Sequence, residues 1–488
     1  MGSEKKKQKS ITVNLITNGI KTLMGVLFPL ITFPYASRVL GAVGIGKVNY
    51  ASSIISYFSL IASLGITTYA VREGARIRDN KEKFNKFAKE ILSINLCTTI
   101  VAYILFVLFL CLPILRSYKG LLLISSLGIL FTTIGMEWLF VIMEEYSYIT
   151  IRAVAFQVIS FVLLFIVVRS KDDYYWYAAL TVISAGGSAI LNLWHSRKFV
   201  DWRKKGQKLE YYKHLKPIFF IFGTSVASSI YMTMDTTMLG MFKGDRSVGI
   251  YTAAVKMSGV ISTLIGAISA TILPRVSYYI GNGQQNQYKR LMKMSMDILL
   301  MASVPAAIGM MCTSDILILL FSGSEFLSGS FAAKILSAKV VIGAVNRMLA
   351  YQVCTPYKMD KEVLISTSTG AIFNLIANAI LIPIFGVTGA SIATFACEAV
   401  VFCMLTRYAK TVLNTRMLYT KFPVYTGISL SFIFARFIMN KVFANTVLCL
   451  GATMLVCGMV YFGVLLLIKD EYVIEYKNKF FKMFRKNR

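Results

Sequence analysis

Charged residues are scarce in this chain. Only 15% of its 488 residues are Asp, Glu, Lys or Arg, whereas a soluble chain of this length carries about a quarter. Hydrophobic residues make up 56%, and the mean hydropathy is +0.64. Composition this apolar excludes a soluble enzyme and a disordered protein, since both need a polar surface. At about 20 residues per membrane-spanning helix, the apolar residues suffice for a dozen or more spans.

Residues that bind metals or form disulfides are equally few. The two histidines, His195 and His214, lie in one basic loop, and the eight cysteines form no CxxC pair. Each cysteine lies in or beside an apolar run, where a free thiol behaves as a small hydrophobic side chain. The sequence therefore predicts no disulfide framework and no metal site. A G-x-x-x-x-G-K-[ST] phosphate loop is also missing, so we expect no ATP-driven mechanism.

Positive charge is in excess, with a net charge of +29, but it is spread along the chain. Lys and Arg stand in short gaps between apolar runs rather than on one folded face, which argues against nucleic-acid binding. With the N-terminus in the cytoplasm, the cytoplasmic segments hold 36 Lys and Arg and the external loops hold 10. The positive-inside rule therefore predicts that both termini are cytoplasmic, with an uncleaved first span.

Apolar runs of helix length divide the chain into fourteen candidate spans. None shows the alternating pattern of a membrane barrel strand. An even number of spans agrees with termini on the same side. The fold class predicted is an all-α polytopic membrane protein, with spans near 12–37, 48–71, 89–113, 120–142, 149–168, 174–195, 217–241, 248–274, 291–313, 329–355, 363–382, 387–406, 419–438 and 446–468.

An internal repeat relates the two halves of the chain. SRVLGAVGIGKVNYASSI, between the first and second spans, is echoed by TTMLGMFKGDRSVGIYTAAVKM between the seventh and eighth, which aligns Leu-Gly at 40–41 with Leu-Gly at 239–240. Six spans per copy keep one orientation, so the lobes are related by a pseudo-two-fold axis along the membrane normal. The predicted domains are an N-terminal lobe (1–205, spans 1–6), a C-terminal lobe (206–410, spans 7–12) and spans 13–14 with a basic tail (411–488).

Charged side chains inside the predicted spans are mainly basic. Such groups are costly in a bilayer and mark function. A cation exporter would favour acids, so the surplus of bases indicates an anionic substrate such as a phosphate or a uronate. The bases are Lys21, Arg152, Lys256, Lys334, Lys339 and Arg347, and the acids are Glu137, Asp235, Asp297 and Glu398.

Depth along each span suggests roles for these groups. Asp235 with Lys256 would close the external side. Glu137 with Arg152, or Asp297 with Arg347, would close the cytoplasmic side. Alternatives stay open: Arg152 and Asp297 are near enough to helix ends to reach headgroups, and Glu398 fits a protonated core acid. We predict a cationic substrate cavity of Lys21, Lys256, Lys339, Arg347, Arg38 and Lys334, and gating or coupling by Asp235, Glu398, Asp297, Glu137 and Arg152.

Three stretches carry a family resemblance. FPYASRVLGAVGIGKVNYASSIISYFSLIASLGITTYAVREGAR resembles the opening signature of the Wzx-type polysaccharide flippases, which belong to the multidrug/oligosaccharidyl-lipid/polysaccharide exporter superfamily. SSIYMTMDTTMLGMFKGDRSVGIYTAAVKMSGVISTLIGAISATILPRVS resembles that family's seventh and eighth spans, and FGVTGASIATFACE its eleventh-to-twelfth junction. Arg38 matches the arginine before the first Leu-Gly, Asp235 matches the aspartate ahead of the second, and Lys256 falls where the eighth span commonly offers a base.

The resemblance implies a MATE-like pair of six-helix lobes with two additional helices and a cationic central cavity. It also implies a non-enzymatic flippase of a bacterial cytoplasmic membrane, which moves undecaprenyl-pyrophosphate-linked repeat units outward by alternating access. No cofactor is implied, although a coupling H⁺ or Na⁺ is known for parts of the superfamily. The implied partners are the lipid-linked oligosaccharide, membrane lipids, and the polymerase and assembly proteins of a capsule or O-antigen pathway.

Other functions are weighed against this one. A multidrug or cation exporter of the same superfamily would show more acids than bases in its spans. A lipid II or teichoic-type flippase differs only in its substrate. A membrane-embedded polymerase or glycosyltransferase usually needs a sizeable catalytic loop, and no loop here is long.

Overall fold

The computed structural model describes residues 11–203, 209–270 and 272–474, and within these ranges every regular element is helical. Part of the predicted topology rests on basic residues at 5–9, 204–208 and beyond 474, which lie outside the described residues. The helices of the first half are α1 (Ile11–Ser63), α2 (Ile66–Ile77), α3 (Lys81–Leu110), α4 (Lys119–Gly135), α5 (Glu137–Ile142), α6 (Tyr146–Val167), α7 (Tyr174–Gly186), α8 (Ala189–Ser196) and α9 (Tyr212–Ala270).

The helices of the second half follow with short connections. Short 3₁₀ helices occur at Ser324–Gly329, Thr355–Tyr357 and Thr415–Tyr419, and a π-helical turn occupies Leu349–Cys354. The α-helices are α10 (Leu273–Gly281), α11 (Gln285–Ser322), α12 (Ser330–Met348), α13 (Asp360–Phe385), α14 (Val387–Ala409), α15 (Phe422–Val442) and α16 (Thr446–Leu467).

Twelve segments of the described chain are long and apolar enough to cross a membrane. Two of them, Thr17–Ile77 and Ser229–Gly266, are interrupted by a glycine with a positive φ, Gly41 (67°) in α1 and Gly244 (76°) in α9. Glycine enters this left-handed region without the steric cost that other residues meet. The twelve segments confirm the predicted all-α polytopic membrane fold. Dividing the whole of α1 and of α9 at these glycines is consistent with the fourteen predicted spans.

Large apolar side chains cover much of the outer surface of the helices. Leu467 is 81% exposed and Phe220 is 74% exposed. In water a continuous surface of this kind would be unstable, whereas hydrocarbon chains solvate it. The exposed side chains therefore fit a chain that lies in a bilayer.

The first compact unit comprises residues 1–249. Within it α1 packs against α3, α4 and α6, while α4 packs against α7 and α8. A buried apolar cluster joins the end of α1 to α2, α3 and α5, and its largest members include Phe84, Trp138 and Phe140. Ile218, at the start of α9, belongs to the same cluster.

The seventh span contacts other helices of the first unit at both of its ends. Near its start, His214 packs on the ring of Tyr69 and of Phe87. Near its far end, Thr237 Oγ1 lies 3.0 Å from Ser53 Oγ and 3.1 Å from Tyr57 Oη. These contacts lie within the first compact unit, which ends at Gly249. The lobe boundary at 205/206 stays a prediction about the repeat.

The second compact unit comprises residues 250–488. α12 packs against α11 and α14, and α13 packs against α14. Spans 13 and 14, predicted as a separate C-terminal region, pack on α11, where Tyr461 Oη donates a hydrogen bond to the Met301 carbonyl (2.9 Å). Their buried side chains, among them Tyr425 and Phe432, join the same apolar cluster as Leu299 and Leu300 of α11.

Backbone geometry sets the register of the repeat. Gly41 and Gly244 have nearly the same dihedral angles, φ 67° and ψ −178° against φ 76° and ψ 179°. Gly46 and Gly249 follow them at the same interval of five residues. The structure therefore aligns Gly41 with Gly244, and the alignment of the two Leu-Gly pairs is wrong by four residues, because the left-handed glycine rather than the preceding leucine forms the turn.

Candidate functional site

Three charged side chains form a cluster inside the first unit. α4 ends before Met136, which takes a left-handed conformation (φ 43°), and α5 then begins at Glu137. Lys21 Nζ of α1 forms an ion pair with Glu137 Oε1. On its other side, Glu137 Oε2 lies 3.9 Å from Arg152 Nη2 of α6. The structure brings all three together, and their roles in binding and gating stay predictions.

The Arg152 side chain points into the protein. It is only 7% exposed, its guanidinium lies 5.7 Å from the ring centre of Tyr148, and its Nε and Nη1 have no hydrogen-bond partner among the described residues. A side chain reaching for headgroups would be exposed along its length. The alternative that Arg152 reaches the membrane surface is therefore wrong in this conformation.

A cavity of about 420 Å³ lies beside Glu137 and Arg152. α1, α4, α6, α7 and α8 all contribute to its wall, and so does the short α5 through Glu137. Hydroxyl and amide groups make up most of its polar lining. These are Ser52, Ser56, Ser59, Ser125, Thr132, Thr181, Ser188 and Asn192.

Four of the basic residues predicted to line the cavity lie on the spans of the second unit: Lys256, Lys334, Lys339 and Arg347. Arg347 Nη2 of α12 donates to the Ser262 carbonyl of α9 (3.3 Å), and its Nε would lie 3.9 Å from a Cβ on Gly266, one turn further on. Lys339 and Arg347 are half-buried on α12, whereas Lys334 is exposed. In the part of the chain that the structure describes, Lys334, Lys339 and Arg347 have no carboxylate within ion-pair distance. Lys256, on α9, is half-buried.

Glu398 is buried between α12 and α14. Its Oε2 accepts a hydrogen bond from Asn346 Nδ2 (2.7 Å), and the same nitrogen lies 2.9 Å from the Glu398 carbonyl oxygen. Gly343 leaves room for the carboxylate, because a Cβ there would stand 3.2 Å from Oε1. The acid thus has a fixed position within the second unit. Its predicted part in gating or coupling stays a prediction.

Asp297 is fully buried, so it does not reach the headgroups, and its partner is not the predicted one. Tyr472, which follows the last span, donates a hydrogen bond to Asp297 Oδ2 (3.0 Å). Burial and the nearby Asp297 raise the pKa of the Tyr472 phenol, so it stays protonated. Lys421 Nζ pairs with the neighbouring Asp470 (2.8 Å). The structure does not bring Asp297 and Arg347 together. The Arg347 guanidinium instead donates a hydrogen bond to the Ser262 carbonyl of α9.

The remaining predicted residues lie near the two repeat junctions. Asp235 is buried in the first unit, and Arg38 is exposed on α1, three residues before the Gly41 turn. Lys256 belongs to the second unit. Closure of the external side by Asp235 and Lys256 therefore stays a prediction.

A buried network was missed at the sequence level. Glu90 of α3 has no exposed surface, and its carboxylate accepts from His214 Nε2 (2.8 Å), from the Glu210 amide (2.7 Å) and pairs with Lys213 Nζ (3.1 Å). His214 Nδ1 lies 2.7 Å from Tyr69 Oη. The sequence contains two indications of this network. Glu90 stands at the start of a long apolar run, and His214, one of only two histidines, lies just before another apolar run.

Groups suited to metal binding do not gather in the described ranges. No set of three His, Cys, Asp or Glu side chains there could hold an ion. The charged groups of the described sites form ion pairs and hydrogen bonds, as Lys21 does with Glu137 and Asn346 does with Glu398.

Comparison with known proteins identifies related sequences. The family described as "Polysaccharide biosynthesis protein" matches residues 11–279, more than half of the chain, and MatE matches residues 221–380. Agl15 of Haloferax volcanii, provisionally named a low-salt glycan biosynthesis flippase, is 26% identical over 249 residues. That alignment covers 50% of this chain and 51% of Agl15, so the chain spans about half the length of that relative. An Escherichia coli K12 protein provisionally named an O-antigen transporter is 22% identical over 408 residues, 82% of this chain and 97% of that protein.

Two solved structures share the fold. The lipid II flippase MurJ in an inward closed conformation has a TM-score of 0.71 at 14% identity, with 93% of this chain and 100% of that chain covered. An inward-facing MATE multidrug transporter has a TM-score of 0.60 at 13% identity, with 82% and 98% covered. At these identities the likeness concerns the arrangement of helices alone.

Proposed function

The chain belongs to the polysaccharide biosynthesis protein family, and on this premise we propose that it is a flippase that moves lipid-linked oligosaccharide repeat units across a bacterial cytoplasmic membrane. The substrate would be attached to undecaprenyl pyrophosphate and would move outward by alternating access. Both termini would be cytoplasmic. The chain would act as a transporter rather than an enzyme, with a gradient of H⁺ or Na⁺ as a coupling source and with polymerase and assembly proteins as partners.

One observation about charge carries this proposal. Three acids within the spans of the second unit already have partners: Asp297 pairs with Tyr472, Asp315 with Arg436 (3.3 Å) and Glu398 with Asn346. None of these acids pairs with the bases on α12, since no described carboxylate lies within ion-pair distance of Lys334, Lys339 or Arg347. Bases at membrane depth are stable only with a counter-charge or in water.

A pyrophosphate group meets this requirement. It carries negative charge on several oxygens, each of which accepts hydrogen bonds from ammonium and guanidinium groups. Its lipid would remain in the hydrocarbon while the headgroup and sugars occupied the polar interior. A cationic drug would meet repulsion at the same place, which disfavours the multidrug and cation exporter.

Complementation tests the proposal directly. The full chain would be expressed in a bacterium that lacks its own polysaccharide flippase, and surface polymer would be measured. Lys339→Ala and Arg347→Ala would be compared with Lys361→Ala, an exposed base on α13, at matched membrane levels. We expect the wild type and Lys361→Ala to restore polymer and at least one of the other two variants to lose it.

Each other outcome bears on a different part of the proposal. Restoration by all three variants would leave the flippase function standing and reject the basic site. Failure of the wild type in the membrane, together with a gain in resistance to cationic drugs, would favour the exporter. Restoration of peptidoglycan synthesis instead, in cells lacking their lipid II flippase, would change the substrate to lipid II.

A further inference from the structure

The cavity of the first unit contains a guanidinium that is buried but only partly satisfied. Arg152 is more than nine-tenths buried, and the closest carboxylate oxygen, Glu137 Oε2, is 3.9 Å from its Nη2. That separation is an ion-pair distance and too long for a hydrogen bond. Two further nitrogens, Nε and Nη1, find no partner within the described ranges. A buried charge in this state costs free energy until a ligand or water supplies acceptors.

Charge balance around Arg152 points to an anion. Glu137 is the single carboxylate of the cluster and is shared with Lys21, so two positive groups face one negative group. Glu137 keeps 47% of its side chain exposed and can move, whereas Arg152 is enclosed. An entering anion would therefore replace Glu137 at Nη2 while Glu137 stayed paired with Lys21.

The rest of the lining suits a sugar. Thr132 and Thr181 donate their hydroxyl hydrogens to backbone carbonyls (2.8 and 2.7 Å), which leaves their oxygens as acceptors toward the cavity. Asn192 donates to the Gly135 carbonyl (2.6 Å), and its Oδ1 is buried without a partner among the described residues. Acceptors of this kind match the hydroxyl hydrogens of a saccharide. A volume of about 420 Å³ lies in the usual range for small-molecule pockets.

We propose that this cavity binds the anionic group of a saccharide, a carboxylate or a phosphate, with Arg152 as the residue that contacts it. Glu137 acts as the internal counter-ion that the ligand displaces. The site deepens the proposed flippase function, on which its physiological ligand rests. It uses none of the bases of the second unit and assigns to Arg152 a binding role in place of the predicted gating role.

Direct binding tests this proposal without transport. The full chain in lipid nanodiscs would be titrated with glucuronate, glucose 1-phosphate or neutral glucose, with saturation-transfer NMR of the sugar protons as the measurement. We expect saturable binding of at least one anionic sugar and none of glucose. Glucuronate and glucose 1-phosphate separate a carboxylate ligand from a phosphate ligand.

Variants with opposite expected effects keep the test independent of misfolding. Arg152→Gln should weaken the anionic sugar by about tenfold or more, the loss that corresponds to one charge-assisted hydrogen bond. Arg152→Lys should recover part of the binding. Glu137→Gln removes the competing counter-ion and should tighten binding by several-fold. Lys361→Gln, which changes an exposed base on α13 outside both proposed sites, is the matched control and should leave binding unchanged.

Three results would overturn the proposal. These are equal binding of glucose and the anionic sugars, unchanged binding in Arg152→Gln, and weaker binding in Glu137→Gln. The proposed function fails differently, by loss of complementation in Lys339→Ala or in the wild type. Complementation with no anion binding in the first unit would reject this site alone.

Discussion

Gly46 packs against the backbone carbonyl of Asp245, and Gly249 packs in the same way against the backbone carbonyl of Ala42. A Cβ on Gly46 would stand 1.7 Å from the Asp245 carbonyl oxygen, and a Cβ on Gly249 would stand 1.9 Å from the Ala42 carbonyl oxygen. Ala42 and Asp245 each follow a left-handed glycine, Gly41 and Gly244. Within the first unit, the two glycine turns therefore contact each other through equivalent positions, as the two sides of an isologous contact do.

We expect Gly46→Ala to separate this contact. Its Cβ cannot fit beside a carbonyl oxygen at 1.7 Å, so the backbones must move apart, at a cost of about 1–3 kcal/mol or more. Thermal unfolding of the purified protein in detergent would show the loss, and Gly249→Ala should behave alike. Gly427→Ala is the control, because nothing lies within 4 Å of its new Cβ. Equal melting temperatures for Gly46→Ala and Gly427→Ala would contradict the contact.

Gly244 tests the backbone turn without a packing effect. No atom lies within 4 Å of a Cβ built there, yet φ is 76°. Gly244→Val should destabilise the protein by about 1–3 kcal/mol, since a β-branched residue rarely enters this region. Gly244→Asn should cost less, because asparagine tolerates the left-handed conformation. The comparison is again by thermal unfolding, and a valine variant as stable as the asparagine variant would show that the turn is unstrained.

Loss of Glu90 should lower the stability of the protein strongly, although Glu90 is not part of either proposed binding site. Glu90→Leu would leave His214 Nε2 and the Glu210 amide without their buried acceptor, and we expect a loss of about 3 kcal/mol. Glu73→Leu is the control, because Glu73 pairs with exposed arginines of its own helix and such pairs contribute less than about 1 kcal/mol. Unfolding curves of the two variants give the difference. Similar curves would mean that Glu90 holds the seventh span no more firmly than a surface pair does.

Local patterns in the sequence were enough to predict the membrane spans, whereas contacts between residues far apart in the sequence could not be predicted. Runs of apolar residues were sufficient for fourteen spans, because membrane thickness sets the length of each run. Leu-Gly pairs misplaced the repeat by four residues, since φ at Gly41 and Gly244 is not visible in residue identity. The pairing of Lys21 with Glu137 joins residues 116 positions apart, and spacing along a chain carries no information about such a contact.

Variants of Glu398 and of its partner Asn346 distinguish a structural role of Glu398 from a role in coupling transport to protons. Glu398→Gln keeps an oxygen that can accept from Asn346 Nδ2, so we expect stability within about 1 kcal/mol of wild type. Asn346→Leu removes the hydrogen-bond donor from a buried acid and should cost about 2–3 kcal/mol. Transport measured against an imposed pH gradient then distinguishes the roles. If Glu398 couples transport to protons, the Glu398→Gln variant has the melting temperature of the wild type but its transport no longer responds to the pH gradient. If Glu398 only holds α12 to α14, transport by Glu398→Gln still responds to the gradient, and stability falls only in Asn346→Leu.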